Sequence, residues 1–219
     1  MGKNKLKRFA ENETFDNLFQ HSIYSAQGEP FLLKGKWQTQ YFNNENPIVL
    51  ELGCGRGEYT IGMAQRFPDK NFIGIDRKGA RIWRGCKDGI EKKLNNVAFL
   101  RIRIEEITHY FEKNEVDEIW VTFPDPQLKK ENKRLISPNF ISKYQKVLDT
   151  NGTIHLKTDS RELYEYVLEI APIEKWKIIT NIPDIYSTEE QSGLTEIQTF
   201  YEKKWLQEGK KISYISFYL

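Results

Sequence analysis

Two carboxylates and three glycines along one stretch of chain could build a cofactor pocket: Glu51, Gly53, Gly55 and Gly57, then Asp76. Ile48–Leu52 is a short buried-type run, and the glycines fall directly after it, where a strand would turn into a helix. Glycine lets backbone turn tightly and lie close to a ligand. The spacing is G-x-G-x-G, and Glu58 stands where the dinucleotide loop G-x-G-x-x-G has its third glycine. Glu51 would repel a diphosphate but attract a sulfonium and an α-ammonium. Asp76 ends the second apolar run, where a carboxylate accepts ribose hydroxyls. The plainer alternatives are a turn or helix-cap role for Asp76 and a salt bridge to Arg56 for Glu51. Taken together, the residues point to S-adenosylmethionine as cofactor, and hence to methyl transfer.

A second constellation follows the fourth apolar run. Phe123-Pro124-Asp125-Pro126-Gln127 lies where a doubly wound sheet binds its ligands, at the carboxyl edge. Prolines on both sides restrict the backbone and would hold the Asp125 carboxylate in place. The alternative is a rigid turn that the aspartate caps. Lys129, Lys130, Lys133 and Arg134 come next, and a basic group beside such an edge suits a polyanion such as RNA.

These residues need a scaffold of alternating elements. Strands are expected at 48–52, 71–76, 97–102, 117–123, 153–158, 175–181 and 212–219. In the fourth, Ile119, Val121 and Phe123 should share one face and Trp120 the other. Helices are expected at 58–67, 78–94, 138–148 and 160–170, the last two behind Ser caps. The fold class is therefore α/β: a Rossmann-like, doubly wound, seven-stranded sheet whose last two strands pair in hairpin fashion. Residues 1–40 read as a basic N-terminal extension with Phe9, Phe15, Leu18 and Phe19 available for docking, and residues 41–219 as the methyltransferase domain.

Composition sets limits. With 219 residues, 39% hydrophobic and 29% charged, the chain should bury one sizeable core. A net charge of +2 does not by itself indicate nucleic acid, but the cations are clustered: at Lys3, Lys5, Lys7 and Arg8; at Arg77, Lys78, Arg81, Arg84 and Lys87; and after Asp125. The two cysteines, Cys54 and Cys86, have no metal-ligand spacing. His21, His109 and His155 are scattered and read as structural, so no metal is expected. No run is long enough to span a bilayer, and a cytoplasmic monomer or homodimer is expected.

The run 123–130 with Asn132-Lys133-Arg134, Thr158-Asp159, and Thr199-Phe200-Tyr201-Glu202 together resemble the tRNA (guanine-N7-)-methyltransferase family over most of the chain from Ile48. The resemblance implies that Glu51, Asp76 and Asp125 line the cofactor and reaction site. It further implies that Lys129, Asp159, Thr199 and Glu202 contact the substrate, and that residues 131–136, including Lys133 and Arg134, contact RNA. It suggests the variable loop of tRNA as the target. The chain departs from the family in two places. Gln127 stands where a Trp is usual. Arg103-Ile104 stands where many relatives carry an acidic residue toward the adenine, leaving Arg103, Ile104 and Glu105 as candidate contacts there. Guanine N7 needs no general base, so Asp125, with Asp159 or Glu202, is expected to bind the guanine edge. The other readings are a methyltransferase for another RNA, a protein or a small molecule, and a non-catalytic RNA-binding protein with this fold. A nicotinamide dehydrogenase fits least.

Overall fold

The computed structural model describes residues 2–20, 31–187 and 192–219; His21 lies outside them. The strands are β1 (Leu18–Phe19), β2 (Ile48–Leu52), β3 (Asn71–Ile75), β4 (Val97–Leu100), β5 (Val116–Thr122), β6 (Leu148–Thr158), β7 (Lys177–Ile182) and β8 (Ser213–Tyr218). They form one sheet in the order β1-β4-β3-β2-β5-β6-β8-β7. β1 to β6 pair in parallel, and β8 inserts antiparallel between β6 and β7. The sheet thus has eight strands, not the expected seven. The additional one is the two-residue edge strand β1. It is held where Phe99 N–H donates to Asn17 O (2.7 Å) and Arg101 N–H to Phe19 O (2.9 Å). Two residues carry no periodicity to read. The last two strands pair as expected, but two helices, α6 (Ser192–Thr195) and α7 (Phe200–Gln207), separate them in the chain.

The sheet is covered on both faces, which is why the early strands are nearly continuous apolar runs. β2 and β3 are buried at every position. One face carries Leu50, Ile73, Ile119 and Leu156 with Trp37, Tyr110 and Tyr144. The other carries Val49, Phe72, Phe99 and Trp120, where α2 (Glu58–Arg66) and α3 (Gly79–Glu91) pack. Phe123 does not continue the alternation of β5: its φ of 48° turns it toward the Trp120 face. Helix α4 (Pro138–Tyr144) ends earlier than expected, because Val147 and Leu148 are already entering β6. Helix α5 (Arg161–Ile173) starts behind its Ser160 cap, whose hydroxyl accepts the Leu163 N–H at 3.2 Å.

Phe99 fixes how closely helix and loop approach. A Cβ at Gly57 would sit 2.7 Å from the Phe99 ring and 2.9 Å from the Gly85 Cα. One at Gly85 would meet the same ring at 2.6 Å and the Arg56 carbonyl oxygen at 2.9 Å. Backbone cannot yield as a side-chain tip can. Gly85→Val should therefore lower stability by about 3 kcal/mol, the upper end for overpacking. Urea unfolding checks this; a wild-type midpoint would contradict it.

Candidate active site

The order β3-β2-β5 makes β2 the place where the sheet changes direction of winding, and the crevice beyond the carboxyl ends of β2 and β5 is the ligand position of such folds. Gly53 and Cys54 N–H both donate to Ile75 O, at 2.8 and 3.0 Å, which bends the chain over the end of β3. Gly57, at φ 73°, then opens α2.

Glu51 is the buried floor of this crevice, 5% exposed. Its register neighbour on β5 is Trp120. Its carboxylate accepts the Thr60 N–H (2.8 Å), the Thr60 hydroxyl, and the Thr122 hydroxyl (2.6 Å). Burial nevertheless pushes its pKa up from 4.5 to about 7; the three hydrogen bonds oppose that, and the negative charge of Asp76 adds to it. No cation pairs with Glu51 among the described residues. Arg56, the alternative partner, instead lies over the Phe200 ring at 5.2 Å. A buried carboxylate with no counter-charge suits a cationic ligand.

Asp76 performs two tasks at once. One oxygen accepts the Gly55 N–H at 3.0 Å, fixing the glycine loop; the other accepts the Lys78 N–H at 2.7 Å, at the entry to α3. The turn role is therefore real, whereas α3 has Lys78 as its N-cap and no side chain caps it; the remaining lone pairs of Asp76 stay available to hydroxyls.

Two hollows meet at Gly53. The first, about 420 Å³, is lined by Glu51, Gly55, Thr122, Phe123 and the stretch 199–201. The second, about 650 Å³, is lined by Asp76, Arg103, Ile104, Glu105, Gln127 and Lys133. The cofactor candidates are thus divided between two adjoining hollows, with the Glu51 carboxylate in one and Arg103–Glu105 in the other. The Arg103 guanidinium is occupied by Glu105 at 3.9 Å and Glu106 at 4.0 Å.

The Pro-Asp-Pro loop stands between the hollows, with Phe123 in the first and Gln127 in the second. Asp125 is exposed and accepts the Gln127 N–H at 3.0 Å. Lys129 and Lys133 are exposed beside it. Arg134, expected to meet RNA, is buried instead: Nε–H donates to Pro126 O at 3.1 Å and the guanidinium lies over Tyr166 at 4.2 Å. It braces the loop from within.

Glu202 is also buried, at 0% exposure, and so differs from the expected surface contact. Its Oε1 meets Lys157 Nζ at 2.7 Å and accepts the Tyr186 hydroxyl at 2.8 Å. Lys157 also donates to Leu194 O (2.7 Å) and Ile197 O (3.4 Å). Burial lowers the Lys157 pKa, and Glu202 opposes that. Thr199 accepts the Glu202 N–H at 3.2 Å as N-cap of α7. Asp159 pairs with Lys210 at 3.0 Å.

Thr60, Thr122 and Lys157 join the candidate site without any motif in the sequence to mark them. Lys157 lies on the Glu51 face of the sheet, opposite Thr122 in register. A strand lysine that alternates with a buried Leu156 reads as solvent-facing, and Lys157 is buried because the sheet is covered on both faces. Among the described residues no group of His, Cys, Asp or Glu could hold a metal ion, and no helix is long and apolar enough to cross a membrane.

The chain is similar to known proteins throughout. The family model described as "Putative methyltransferase" matches residues 45–215. A tRNA (guanine-N(7)-)-methyltransferase of Christiangramia forsetii is 51% identical over 98% of this chain and 97% of its own length. The protein of that name from Bacteroides fragilis is 46% identical over 100% of this chain and 87% of its own. One from Porphyromonas gingivalis is 49% identical over 94% and 85%. Among solved structures, an antibiotic-related methyltransferase superposes with a TM-score of 0.64 at 20% identity, covering 86% of this chain and 95% of its own. The 16S rRNA methyltransferase KamB superposes at 0.63 and 16% identity, covering 92% and 95%. At such identities the solved structures speak for the fold alone.

Proposed function

This chain belongs to the tRNA (guanine-N(7)-)-methyltransferase family, and from that premise we propose how its residues divide the work. The activity is methyl transfer from S-adenosylmethionine to guanine N7 in tRNA; the variable loop is the proposed target. The observation that carries the reading is the pair of hollows that share Gly53, one lined by Glu51 and the other by Asp76, with Phe123 and Gln127 at the two ends of the Pro-Asp-Pro loop lining one each.

S-adenosylmethionine, when bound, supplies a methyl group on a cationic sulfur. The first hollow fits such a ligand, since Glu51 is buried, acidic and without a cation. Glu51, Gly53, Gly55, Gly57 and Asp76 hold it, with Arg103, Ile104 and Glu105 in the second hollow. Guanine N7 has an in-plane lone pair and no proton, so in-line attack needs no general base. The protein's task is alignment. As positive charge develops on the purine, Asp125 stabilises it and accepts the N1–H and N2–H₂ hydrogens. Lys129 and Lys133 hold phosphates beside it. Thr199 walls the first hollow, Glu202 holds that stretch by way of Lys157, and Asp159, paired with Lys210, is a further substrate contact. A tRNA transcript carrying 7-deazaguanosine, which has a carbon in place of N7, tests this. It should accept no labelled methyl, whereas the ordinary transcript does; equal labelling of both would refute N7 as acceptor.

Glu51 also predicts a pH dependence. A cation beside it favours the carboxylate and lowers its pKa in the complex, so binding expels a proton wherever free Glu51 is protonated. Cofactor affinity should therefore fall as pH drops below about 7 and level off above it. Glu51→Gln should bind more weakly and lose that dependence. Titration calorimetry between pH 6 and 8 checks both; a flat wild-type profile would contradict the assignment. In the free protein the sign reverses. A carboxyl whose pKa rises on folding favours the folded state at low pH, and that contribution is lost as pH rises from 4.5 to about 7.

A further inference from the structure

Basic residues of the N-terminal helix and α3 reach the first hollow, which Phe123 of the Pro-Asp-Pro loop also lines, while Lys133 lines the second. Helix α1 (Gly2–Asn12) packs on α3. Arg8 lies over the Trp83 ring at 4.7 Å and donates to Ala80 O at 3.2 Å. Trp83 Nε1–H donates to Glu11 at 2.5 Å, and the buried Asn12 amide donates to Gly79 O at 3.0 Å. The helix is thus fixed in place, and it brings Arg8 to the hollow that Arg81, Arg84 and Glu51 also line.

The charges here do not balance. Asp88 neutralises Arg84 at 2.5 Å, Glu91 faces Lys87 at 3.9 Å, and Glu11 is engaged by Trp83 and by Lys7 at 4.0 Å. Among the described residues no carboxylate lies within ion-pair distance of Arg8, Arg77, Lys78 or Arg81, all of them exposed. Uncompensated cations at the mouth of a reaction cavity concentrate a polyanion there, and binding it releases their counterions.

We propose that α1 and the first half of α3 form a second phosphate-binding bank at the first hollow, in addition to Lys129 and Lys133 of the loop beside the second, so that the RNA backbone is held at two places around the reacting base. The proposal rests on tRNA being the substrate. It gives the N-terminal segment a role in substrate binding that the cofactor pocket does not need.

The test measures binding of unmodified tRNA across a salt series, with cofactor affinity measured separately by calorimetry. Arg8→Gln/Arg81→Gln should weaken tRNA binding about tenfold near 0.15 M salt. It should also flatten the slope of log K against log salt by roughly 1 to 2 units, at about 0.7–0.9 per lost phosphate contact. Cofactor affinity should stay within about twofold. Arg8 also docks α1, so Arg81→Gln alone is the cleaner variant. Its side chain has no hydrogen bond or ion pair among the described residues, and it should flatten the slope by about one contact. Unchanged affinity and slope in both variants would overturn the proposal while leaving wild-type methylation intact. A loss of cofactor affinity with tRNA binding unaltered would overturn it too, and would place these guanidiniums on the cofactor. A wild type that neither binds nor methylates tRNA would overturn the proposal and the family activity together.

Discussion

Asp125→Asn is expected to lower kcat for tRNA methylation about 100-fold, in the range for removing one group that stabilises transition-state charge. Asparagine is nearly isosteric, and its side-chain oxygen can still accept the Gln127 N–H that Asp125 accepts at 3.0 Å. The flanking prolines and the Arg134 brace on Pro126 are untouched. The loop should therefore keep its shape, and what is lost is the negative charge and its second acceptor site. Since Asp125 is exposed, stability should change by less than about 0.5 kcal/mol. Cofactor affinity should be little altered, while preference for guanine over other bases weakens. Steady-state kinetics on transcripts checks this. Full turnover with unaltered base choice would remove Asp125 from the mechanism.

Lys157→Met should cost about 3–5 kcal/mol of stability, because it leaves the Glu202 carboxylate buried without its cation. The three-way grip of Lys157 on Glu202, Leu194 O and Ile197 O is lost with it. That grip places the stretch 199–201, which walls the first hollow. A raised KM should therefore accompany the lower stability. Lys157→Met/Glu202→Gln removes both charges and should recover a substantial part of the loss, as a double-mutant cycle on urea unfolding would show. A single variant costing less than about 1 kcal/mol, or a double variant no better than the single, would mean the pair does not act as a unit.

Much of this was legible before the fold. Ile48–Leu52 and the glycines after it name a strand, a turn and a helix start, because buried strands and glycine turns leave local signals. Asp125 was legible for the same reason: prolines mark rigid loops. What was not legible depended on contacts far apart in the chain. Nothing local says that Arg134 turns inward to Pro126 and Tyr166, or that Lys157 finds Glu202. Helix α7 does carry a local signal: Thr199-x-x-Glu202 has the capping-box pattern, which puts Glu202 in the first turn, although its carboxylate meets Lys157 and Tyr186 and only the Thr199 half of the box forms. The end of α4 is not legible because Val147 and Leu148 suit a helix or a strand equally; the chain turns at residues 145–147, and Gly152 already lies inside β6.

The methyl lands on N7 of a guanosine in tRNA. Unmodified tRNA incubated with the protein and labelled S-adenosylmethionine, then treated with borohydride and aniline, tests it most directly, since that chemistry breaks the chain at 7-methylguanosine. The account predicts cleavage at one guanosine, in the variable loop, in proportion to label incorporated. Label transfer without cleavage would contradict it.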